Sequence, residues 1–403
     1  MSTGESAAAA IVVGAGPVGL TAALALRSQG IPVRVVEAEP ADRARPGSRA
    51  IFVHRASLDL LDAASPGLGE LLVGNGIRWQ TKRTCWRGRE VFSRTYPPPD
   101  PTRPAPFTSL PQTQIEQHML ERCKAAGVEF HWDSPVTALD VTADGVAVGT
   151  GNGDTRHAGY VIAADGANSA VRELLGIDMQ GSRSDNSFVI VDIAEDPDDP
   201  LPVERVFHYE HPAVDGRHVL LVPFAGGWRV DLQCRRDDDL GAFAGIDGVR
   251  RWLPRVVDER YAERISWVSS YRFLQVVADS FIDEHRRVLL AGEAAHLFAP
   301  FGARGMNSGI ADADAAARAI GAGIDDPATG QLEEFARTRR QAAKYNRDAA
   351  GAALAHMQAH GPVLQGKRRL AAAAALAGAR AGAWLDRSPY GPRAGPGSTG
   401  SKY

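Results

Sequence analysis

A glycine-bearing turn near the N-terminus is the feature that most constrains what this chain can fold into. Residues 14–19 read Gly-Ala-Gly-Pro-Val-Gly and follow the apolar triplet Ile-Val-Val at 11–13. An apolar repeat of helical period runs through 20–26, and a second apolar run at 31–36 ends next to an acidic residue. Strand, tight turn, helix and strand in this order predict a βαβ unit, so the fold class is predicted to be α/β.

The glycines and the acidic residue of this unit suit a dinucleotide. Gly14 permits the tight turn, Gly16 lets the backbone approach a pyrophosphate, and Gly19 allows close packing of the helix. Glu37 lies 23 positions after Gly14 and can accept hydrogen bonds from ribose hydroxyls, while the helix start offers free N–H groups to the anion. We therefore predict dinucleotide binding at this turn, which includes Val18; the alternative is a purely structural glycine-rich turn. The motif alone does not choose between NAD and FAD.

Size and charge exclude several classes of protein. The chain of 403 residues exceeds the usual size of a single hydrophobic core, so two packed sub-domains are expected. Hydrophobic residues make up 44% and charged residues 23%, as in an ordinary folded globular protein. The net charge is −3 and the pI about 6.4, without a clustered excess of Lys and Arg. We therefore predict no nucleic-acid partner.

Cysteine spacing and apolar stretches exclude others. Cys85, Cys123 and Cys234 lie far apart, so neither a CxxC redox pair, a disulfide scaffold nor a metal-ligand cluster is predicted. The first residues contain no Lys or Arg and lack the charged start of a secretory signal. The Ala-rich stretch 370–385 is too short and too weakly apolar to span a bilayer, which needs roughly 20 residues. The sequence predicts a cytoplasmic protein without a membrane segment or a bound metal.

The strand pattern changes along the chain. Short alternating segments at 136–142, 146–150 and 155–157 predict an antiparallel meander, followed by a buried strand at 160–164. Longer alternating segments then predict a separate antiparallel sheet, with strands at 188–193, 203–209, 218–223, 228–235 and 267–273.

Two later segments carry further glycine motifs. Residues 160–172, YVIAADGANSAVR, place Asp165 and Gly166 at the end of a buried strand. Residues 287–313, RVLLAGEAAHLFAPFGARGMNSGIADA, place Gly292 and Glu293 after another strand, at 288–290. A glycine-rich loop then leads into a long helix, predicted to begin at residue 308.

Together the three motifs resemble those of the class A flavoprotein monooxygenases, the p-hydroxybenzoate hydroxylase-like family of FAD-dependent aromatic hydroxylases. The resemblance covers about residues 10–320. In that family the first motif holds the ADP half of FAD, the second lies near the pyrophosphate and takes part in FAD and NAD(P)H binding, and the third holds the ribityl chain. The resemblance therefore implies FAD as the cofactor and NAD(P)H as a co-substrate.

The resemblance also assigns individual cofactor contacts. Arg49 resembles the family arginine on the flavin and pyrophosphate side, and Gln112 resembles the glutamine that contacts the ribityl chain. Pro300 resembles the proline beside the reactive edge of the flavin ring, and Met306 with Asn307 the residues that offer N–H groups to its pyrimidine end. The predicted FAD-binding set is Gly14, Gly16, Val18, Gly19, Glu37, Arg49, Gln112, Val136, Asp165, Gly166, Gly292, Glu293, Pro300, Gly305, Met306 and Asn307.

The sequence departs from the family pattern at two positions. The third motif reads Gly-Glu, so Glu293 keeps a carboxylate that is one methylene longer than the usual aspartate. The following loop reads Gly-Ala-Arg-Gly at 302–305, where the family commonly has Gly-Gly-Gln-Gly. The fixed charge of Arg304 can stabilise reduced flavin or meet an anionic substrate; alternatively, it pairs with Asp312 or another helix carboxylate.

Candidates for the substrate site come from the predicted second sheet. Polar side chains on its strands that can bind a phenol or take its proton are His208, Tyr209, His218, Arg229 and Tyr271. The predicted catalytic residues are Pro300, Arg304, His208 and Tyr271. The strand at 228–235 alternates Arg229, Asp231 and Gln233 with apolar residues, so one of its faces is polar, but the sequence does not tell which face meets the flavin. The apolar content of the sheet suits a mostly apolar aromatic, such as a polyketide-like phenol.

The resemblance implies a single-component FAD-dependent monooxygenase. NAD(P)H reduces the flavin, O₂ adds to form a C4a-hydroperoxide, and an electron-rich ring attacks its distal oxygen. The expected partners are a small aromatic substrate and O₂, and the expected oligomer is a homodimer. Two alternatives stay open: an FAD-dependent reductase or dehydrogenase of the same fold, and a redox-dependent FAD-binding protein without catalysis.

The predicted architecture is a Rossmann-like FAD-binding domain of the glutathione reductase type, with an inserted antiparallel-sheet substrate domain and a C-terminal helical segment. The FAD-binding domain is assembled from 8–82, 110–178 and 282–345, and the substrate domain from 83–109 and 179–281. Within the latter, the six prolines of 96–107 predict a loop. Helices are predicted over 346–387 and a flexible tail over 388–403.

Overall fold

A computed structural model describes residues 8–98, 100, 102–184, 186–358, 361–377 and 379–392. Within these ranges the strands are β1 (Ala8–Val13), β2 (Val33–Val36), β3 (Phe52–His54), β4 (Thr81–Trp86), β5 (Arg89–Thr95), β6 (Phe107–Ser109), β7 (Glu129–His131), β8 (Val136–Val141), β9 (Val146–Thr150), β10 (Thr155–Ala163), β11 (Met179–Arg183), β12 (Phe188–Ala194), β13 (Glu204–His211), β14 (Arg217–Phe224), β15 (Gly227–Gln233), β16 (Ile265–Tyr271), β17 (Leu274–Ala278), β18 (Val288–Leu290) and β19 (His296–Leu297). The helices are α1 (Pro17–Ser28), α2 (Arg55–Ala64), α3 (Leu68–Asn75), α4 (Gln112–Ala125), α5 (Ala170–Leu174), α6 (Leu240–Ala244), α7 (Ile246–Trp252), α8 (Arg304–Asp325), α9 (Gln331–Gln358), α10 (Pro362–Ala377) and α11 (Ala379–Arg387).

The first sheet carries the predicted βαβ unit. Its order is β7-β2-β1-β10-β9-β8, with β18 also paired to β10. Strands β7, β2, β1, β10 and β18 pair in parallel, whereas β9 and β8 continue the sheet as antiparallel strands. The apolar run of β1 is fully buried because α1 and α8 cover the sheet and share its core. The predicted α/β class and the meander within it are confirmed.

The second sheet is antiparallel apart from one pair. Its order is β16-β12-β15-β14-β13-β4-β5, and only β13 and β4 among these described strands run in parallel. One face packs on α6, α7 and their flanking turns around a core that includes Val230 and Trp252. The opposite face packs on the C-terminal helices through Phe207, Leu354 and Leu385. Each face of this sheet is therefore covered by a different part of the chain.

Several predicted element boundaries are wrong, each for a structural reason. The segments predicted at 155–157 and 160–164 form the single strand β10, which pairs with β9 at its start and with β1 along its length. The strand predicted at 267–273 ends at Tyr271, because the chain then enters β17 and pairs with β11 and β19 in a small separate sheet. Helix α8 begins at Arg304, four residues before the predicted start.

Two predicted domain boundaries also need correction. Strand β4 starts at Thr81 and pairs with β13 throughout, so the division between 82 and 83 cuts a strand of the second sheet. The predicted flexible tail starts too early, since Ser388–Tyr390 forms a 3₁₀ turn. Gly391 then packs closely on the carbonyl group of Ala349. The rest of the predicted tail, 393–403, lies outside the described residues.

The proline-rich connection and the membrane prediction have simpler outcomes. The described residues between β5 and β6 form neither helix nor strand, as predicted from their prolines. Among the described helices, none is long and apolar enough to cross a membrane.

Candidate active site

The first glycine turn is closed on one side and open on the other. Gly14 has φ +102°, and a Cβ there would lie 2.4 Å from the carbonyl oxygen of Ala164. A Cβ on Gly19 would lie 1.9 Å from the carbonyl oxygen of Gly14. A Cβ on Gly16, in contrast, would meet only the guanidinium group of Arg45, at 3.7 Å, and no side chain caps the start of α1. The turn therefore packs tightly on the sheet and leaves its helix N-terminus open to an anion.

Glu37 fastens this turn while keeping acceptor capacity. Its side chain is buried at the end of β2. Oε2 accepts a hydrogen bond from the amide of Ala15 at 2.6 Å, and Oε1 accepts one from the amide of Glu39 at 3.1 Å. Arg43 and Arg45 lie 3.8 and 3.9 Å from Oε2. Because each carboxylate oxygen can accept more than one hydrogen bond, Glu37 can also accept hydrogen bonds from ribose hydroxyl groups.

The carboxylate of Asp165 accepts hydrogen bonds from residues that follow it closely in the chain. Oδ1 accepts a hydrogen bond from the hydroxyl of Ser169 at 2.6 Å, and Oδ2 accepts one from the amide of Val171 at 3.1 Å. Burial raises the pKa of this carboxyl, against the effect of these two hydrogen bonds and of Arg172. Gly166 follows with φ +85°, a conformation that favours glycine. The predicted second motif thus forms a rigid turn at the end of β10, with its carboxylate used to start α5.

Val18 joins the first motif to the third. A Cβ on Gly292 would lie 2.8 Å from Cγ2 of Val18, and a Cβ on Gly309 would lie 2.4 Å from the same atom. Gly292 also has φ +61°. The side chain of Val18 therefore packs between the third motif and α8, which brings the two glycine turns side by side.

Glu293 and Arg49 line the cleft at this junction. Both side chains are exposed. Desolvation by the surrounding protein nonetheless raises the pKa of Glu293, against the attraction of His296 and Arg49. An accessible carboxylate can accept hydrogen bonds from a bound polyol such as the ribityl chain. The role of Glu293 at the ribityl chain stays a prediction.

Gln112 and Val136 take supporting positions. Oε1 of Gln112 accepts a hydrogen bond from the amide of Ala50 at 3.2 Å, and its Nε2 donates to Glu116 at 2.8 Å. Gln112 thus holds the loop that carries Arg49. The side chain of Val136 is buried in the core of the first sheet, so only its backbone is available to a ligand.

The loop before α8 contains two residues with positive φ and is tied to β3 by Asn307. Gly302 and Ala303 have φ +79° and +52°, and no side chain caps the helix that follows. Oδ1 of Asn307 accepts a hydrogen bond from the amide of His54 at 2.9 Å, and its Nδ2 donates to the carbonyl groups of Phe52 and Ala303. Pro300 is exposed, Met306 is half-buried, and a Cβ on Gly305 would meet nothing within 4 Å.

Arg304 is placed differently from one of the two predictions made for it. Its guanidinium group is buried and donates to Oδ1 of Asn346 at 2.8 Å and to the carbonyl oxygens of Tyr390 and Pro392 at 3.3 and 2.7 Å. Burial lowers the pKa of Arg304. Arg304 does not pair with Asp312 but ties residues 300–303, which we call the flavin loop, to the C-terminal segment. A catalytic role of Arg304 stays a prediction.

Asp312 has partners of its own. It accepts hydrogen bonds from Nε2 of His296 at 2.6 Å, Nε of Arg339 at 2.6 Å and the amide of Gly292 at 3.1 Å. Burial alone would raise the pKa of Asp312, but Arg339 and His296 outweigh it and hold the pKa below its usual range. This buried triad fixes the third motif against α8 and α9.

The two predicted catalytic residues of the second sheet lie on opposite faces of it. His208 pairs with Val219, whose side chain lies in the core under α7, so His208 points to the face opposite the C-terminal helices. Burial lowers its pKa to about 4. Tyr271 lies on the edge strand β16 and is 41% exposed; it pairs with Phe188 and therefore lies on the face that carries Phe188. The hydroxyl of Tyr209 lies 2.9 Å from Nε2 of His356, and His218 contacts Met357, so these two serve the C-terminal helices.

Aromatic side chains line the face of the second sheet that meets the flavin loop. Phe301, next to Pro300, lies with its ring centroid 5.8 Å from that of Phe188 and 6.1 Å from that of Phe273. A second aromatic group consists of Phe52, Phe107 and Trp79, whose ring centroids lie 4.6–5.3 Å from one another. Leu220 packs against both groups.

Two polar residues, His54 on β3 and Asp231 on β15, were missed as candidates. His54 is buried beside the flavin loop, with Nε2 3.1 Å from the carbonyl oxygen of Gly302. Burial lowers its pKa to about 4, so the ring is neutral at physiological pH and Nε2 donates to that carbonyl. Asp231 lies on the same sheet face as Leu220, with which it pairs. Only the alternation of β15 could have pointed to Asp231, and nothing in the sequence separates His54 from a core histidine.

These features define a flavoprotein: a Rossmann-type dinucleotide domain joined to an aromatic-lined second sheet. The chain matches the family described as FAD binding domain over residues 7–350, and it belongs to that family. FAD is its cofactor, as the resemblance implied.

Three relatives illustrate the similarity. Rifampicin monooxygenase of Streptomyces venezuelae is 31% identical over 325 residues, which cover 75% of this chain and 62% of that protein. Dialkyldecalin synthase of Streptomyces rugosporus is 29% identical over 322 residues, covering 75% and 63%. The crystal structure of p-nitrophenol 4-monooxygenase from Pseudomonas putida DLL-E4 superposes with a TM-score of 0.75 at 25% identity, covering 97% of this chain and 100% of that one. The chain spans between about half and two thirds of the first curated relatives it matches.

Proposed function

We propose that this protein is an FAD-dependent monooxygenase that uses NAD(P)H and O₂ to hydroxylate an electron-rich aromatic substrate. The observation that carries the proposal is the contact of Phe301 with Phe188 and Phe273, which places an aromatic-lined sheet face directly beside the flavin loop. Aromatic walls orient a planar ring and exclude water. The named monooxygenase relatives support the same reaction class.

The protein's own residues have definite tasks in this reaction. The turn at Gly14–Gly19 and the carboxylates of Glu37 and Glu293 hold the dinucleotide. FAD, once bound, supplies the redox and oxygen chemistry. The positive end of the α8 dipole faces the loop at 300–303 and stabilises negative charge there. Phe301 and its two aromatic neighbours position the ring and exclude water.

The test is substrate-stimulated turnover of the FAD-loaded protein. Purified protein is loaded with FAD, and oxidation of NADH and of NADPH is followed with a panel of phenols that includes p-nitrophenol and polycyclic polyketide phenols. We expect a phenol to accelerate NAD(P)H oxidation and to yield a product heavier by one oxygen atom. A protein that does not bind FAD, or one whose NAD(P)H oxidation ignores every phenol while no product forms, contradicts the proposal.

A second candidate is an FAD-binding enzyme that needs no redox turnover. The similarity to a dialkyldecalin synthase supports it, because that name denotes a ring-forming enzyme. Conversion of a substrate without consumption of NAD(P)H or O₂ would favour this candidate over hydroxylation. We further propose that the protein is cytoplasmic and a homodimer, which fractionation and light scattering test.

A further inference from the structure

Asp231 occupies an unusual position in the second sheet. It lies on β15, third from the edge, on the face that meets the flavin loop. Its cross-strand neighbours on that face are Leu220 of β14 and Ile190 of β12, and beyond Leu220 lies Phe207. An acidic side chain thus sits in the middle of an otherwise apolar row.

The carboxylate of Asp231 is poorly satisfied by the protein. Oδ1 is buried and has no hydrogen-bond partner among the described residues. Asp231 as a whole is only half-buried. An uncompensated carboxylate in such a place costs folding free energy, and proteins retain such groups mainly at functional sites.

The surrounding charges do not neutralise Asp231. Arg229, on the same strand, is engaged by Asp192 and by the hydroxyl of Ser48. Arg205 on β13 has a buried Nη1 without a partner in the described part of the chain. Burial and, to a smaller extent, the negative charge of Asp192 raise the pKa of Asp231 to about 6. The positive charges of Arg229 and Arg205 act in the opposite direction and lower this pKa. The carboxyl group is therefore ionised at pH 7.5 and available as an acceptor.

The position of Asp231 indicates what it accepts from. Asp231 lies two residues before Gln233, the cross-strand partner of Phe188, so Asp231 and Phe188 are diagonal neighbours on one face of the sheet. Phe188 in turn contacts Phe301 of the flavin loop. A ring that packs beside Phe188 and Phe301 has its edge close to Asp231.

We propose that Asp231 accepts a hydrogen bond from a ring hydroxyl of the aromatic substrate and thereby selects substrates that carry this donor. This inference rests on the proposed function. A carboxylate that accepts from a phenol places electron density on the ring oxygen, which makes the ring a better nucleophile at the adjacent carbon. An aromatic without a donor leaves the carboxylate unpaired in the bound state and is rejected for that reason.

The first experiment measures binding to the FAD-loaded protein without NAD(P)H. Each phenol of the panel that binds is compared with its methyl ether by titration of the flavin absorbance spectrum, using p-cresol and p-methylanisole as the first pair. We expect wild type to prefer the phenol by about 10–100-fold, as for a hydrogen bond to a charged acceptor. Asp231→Asn should reduce this preference to less than about threefold, and Asp237→Asn, on an exposed loop, should keep it.

The second experiment separates a binding role from a structural one. Because the folded-state pKa of Asp231 is raised, its ionisation destabilises the fold as pH rises from about 4 to about 6. Asp231→Asn should therefore raise the Tm of the protein, with a larger gain at pH 8 than at pH 5. Asp192→Asn, which removes a carboxylate that accepts from Ser48 and Arg229, should lower the Tm instead.

The outcomes are distinguishable from failure of the proposed function. Equal binding of phenol and ether by wild type, an unchanged preference in Asp231→Asn, or a lower Tm of Asp231→Asn at pH 8 overturns the inference, whether or not the protein hydroxylates anything. Wild type that binds no phenol overturns it as well. Absence of hydroxylation despite a preference that depends on Asp231 overturns only the proposed reaction.

Discussion

Two glycines of the nucleotide turn have different roles: Gly14 allows the turn to pack on the sheet, and Gly16 allows a ligand to approach the backbone. Gly14→Val should abolish FAD binding, because the new side chain would overlap the carbonyl of Ala164 and strain a residue at φ +102°. Gly16→Ala should leave the fold intact, since its Cβ has space, and weaken FAD binding by roughly tenfold, or about 1.4 kcal/mol. Flavin fluorescence quenching measures both, with Gly74→Ala, in open space on α3, as the control. Retained FAD in Gly14→Val would refute the assignment of this turn.

A single buried carboxylate also controls acid stability. Asp312→Ala leaves Arg339 buried without its partner and should lower the free energy of unfolding by about 3–5 kcal/mol. The folded-state pKa of Asp312 is depressed, so its stabilisation is present above the unfolded value of about 4 and is lost as pH falls below it. Urea unfolding at pH 7 and pH 3.5 should show a smaller difference between wild type and variant at the lower pH. An equal difference at both would contradict the role given to Asp312.

At the scale of elements, the C-terminal segment is predicted to support the flavin loop. Arg304→Gln loses donors to the carbonyl oxygens of Tyr390 and Pro392 and should cost about 2 kcal/mol of stability. Truncation after Arg387 removes the same acceptors. Because both changes break the hydrogen bonds to Tyr390 and Pro392, the double variant should cost less than the sum of the two single costs. Unfolding and FAD affinity of the three variants measure this, and fully additive costs would show that Arg304 and the segment act independently.

Part of the secondary structure could be predicted from the sequence. Periodicity located β1, α1, β12 and β15 because their apolar patterns are local properties of the chain. It missed the start of α8, since the positive φ values of Gly302 and Ala303 are set by packing around the loop. The glycine motifs were placed correctly on turns. The hydrogen-bond partners of Arg304 could not be predicted, because they lie 42 to 88 positions away, at Asn346, Tyr390 and Pro392.

The same limit applies to His208 and Asp231. Both residues lie on strands whose side chains alternate between apolar and polar. This alternation shows that the two faces of the sheet differ, but it does not show which element packs on each face. Only the pairing of β13 with β14, and the helices packed on each side, place His208 away from the flavin loop and Asp231 toward it. The substrate site was therefore the least predictable part of the molecule.

In the whole molecule, the nucleotide-binding part, the second sheet and the C-terminal segment meet around the flavin loop. Phe301 connects the first two, and the buried contact of Arg304 with Asn346 and Tyr390 connects the flavin loop to the third. The proposed hydroxylation requires a ring that is oriented beside the flavin while water is excluded.

The central claim is tested most directly by the origin of the oxygen atom in the product. FAD-loaded protein, NAD(P)H and the most stimulating phenol are incubated under ¹⁸O₂ in unlabelled water, and the product is analysed by mass spectrometry. We expect one ¹⁸O atom in each product molecule and no product when O₂ is removed. Product that forms without O₂, or whose oxygen comes from water, would contradict it.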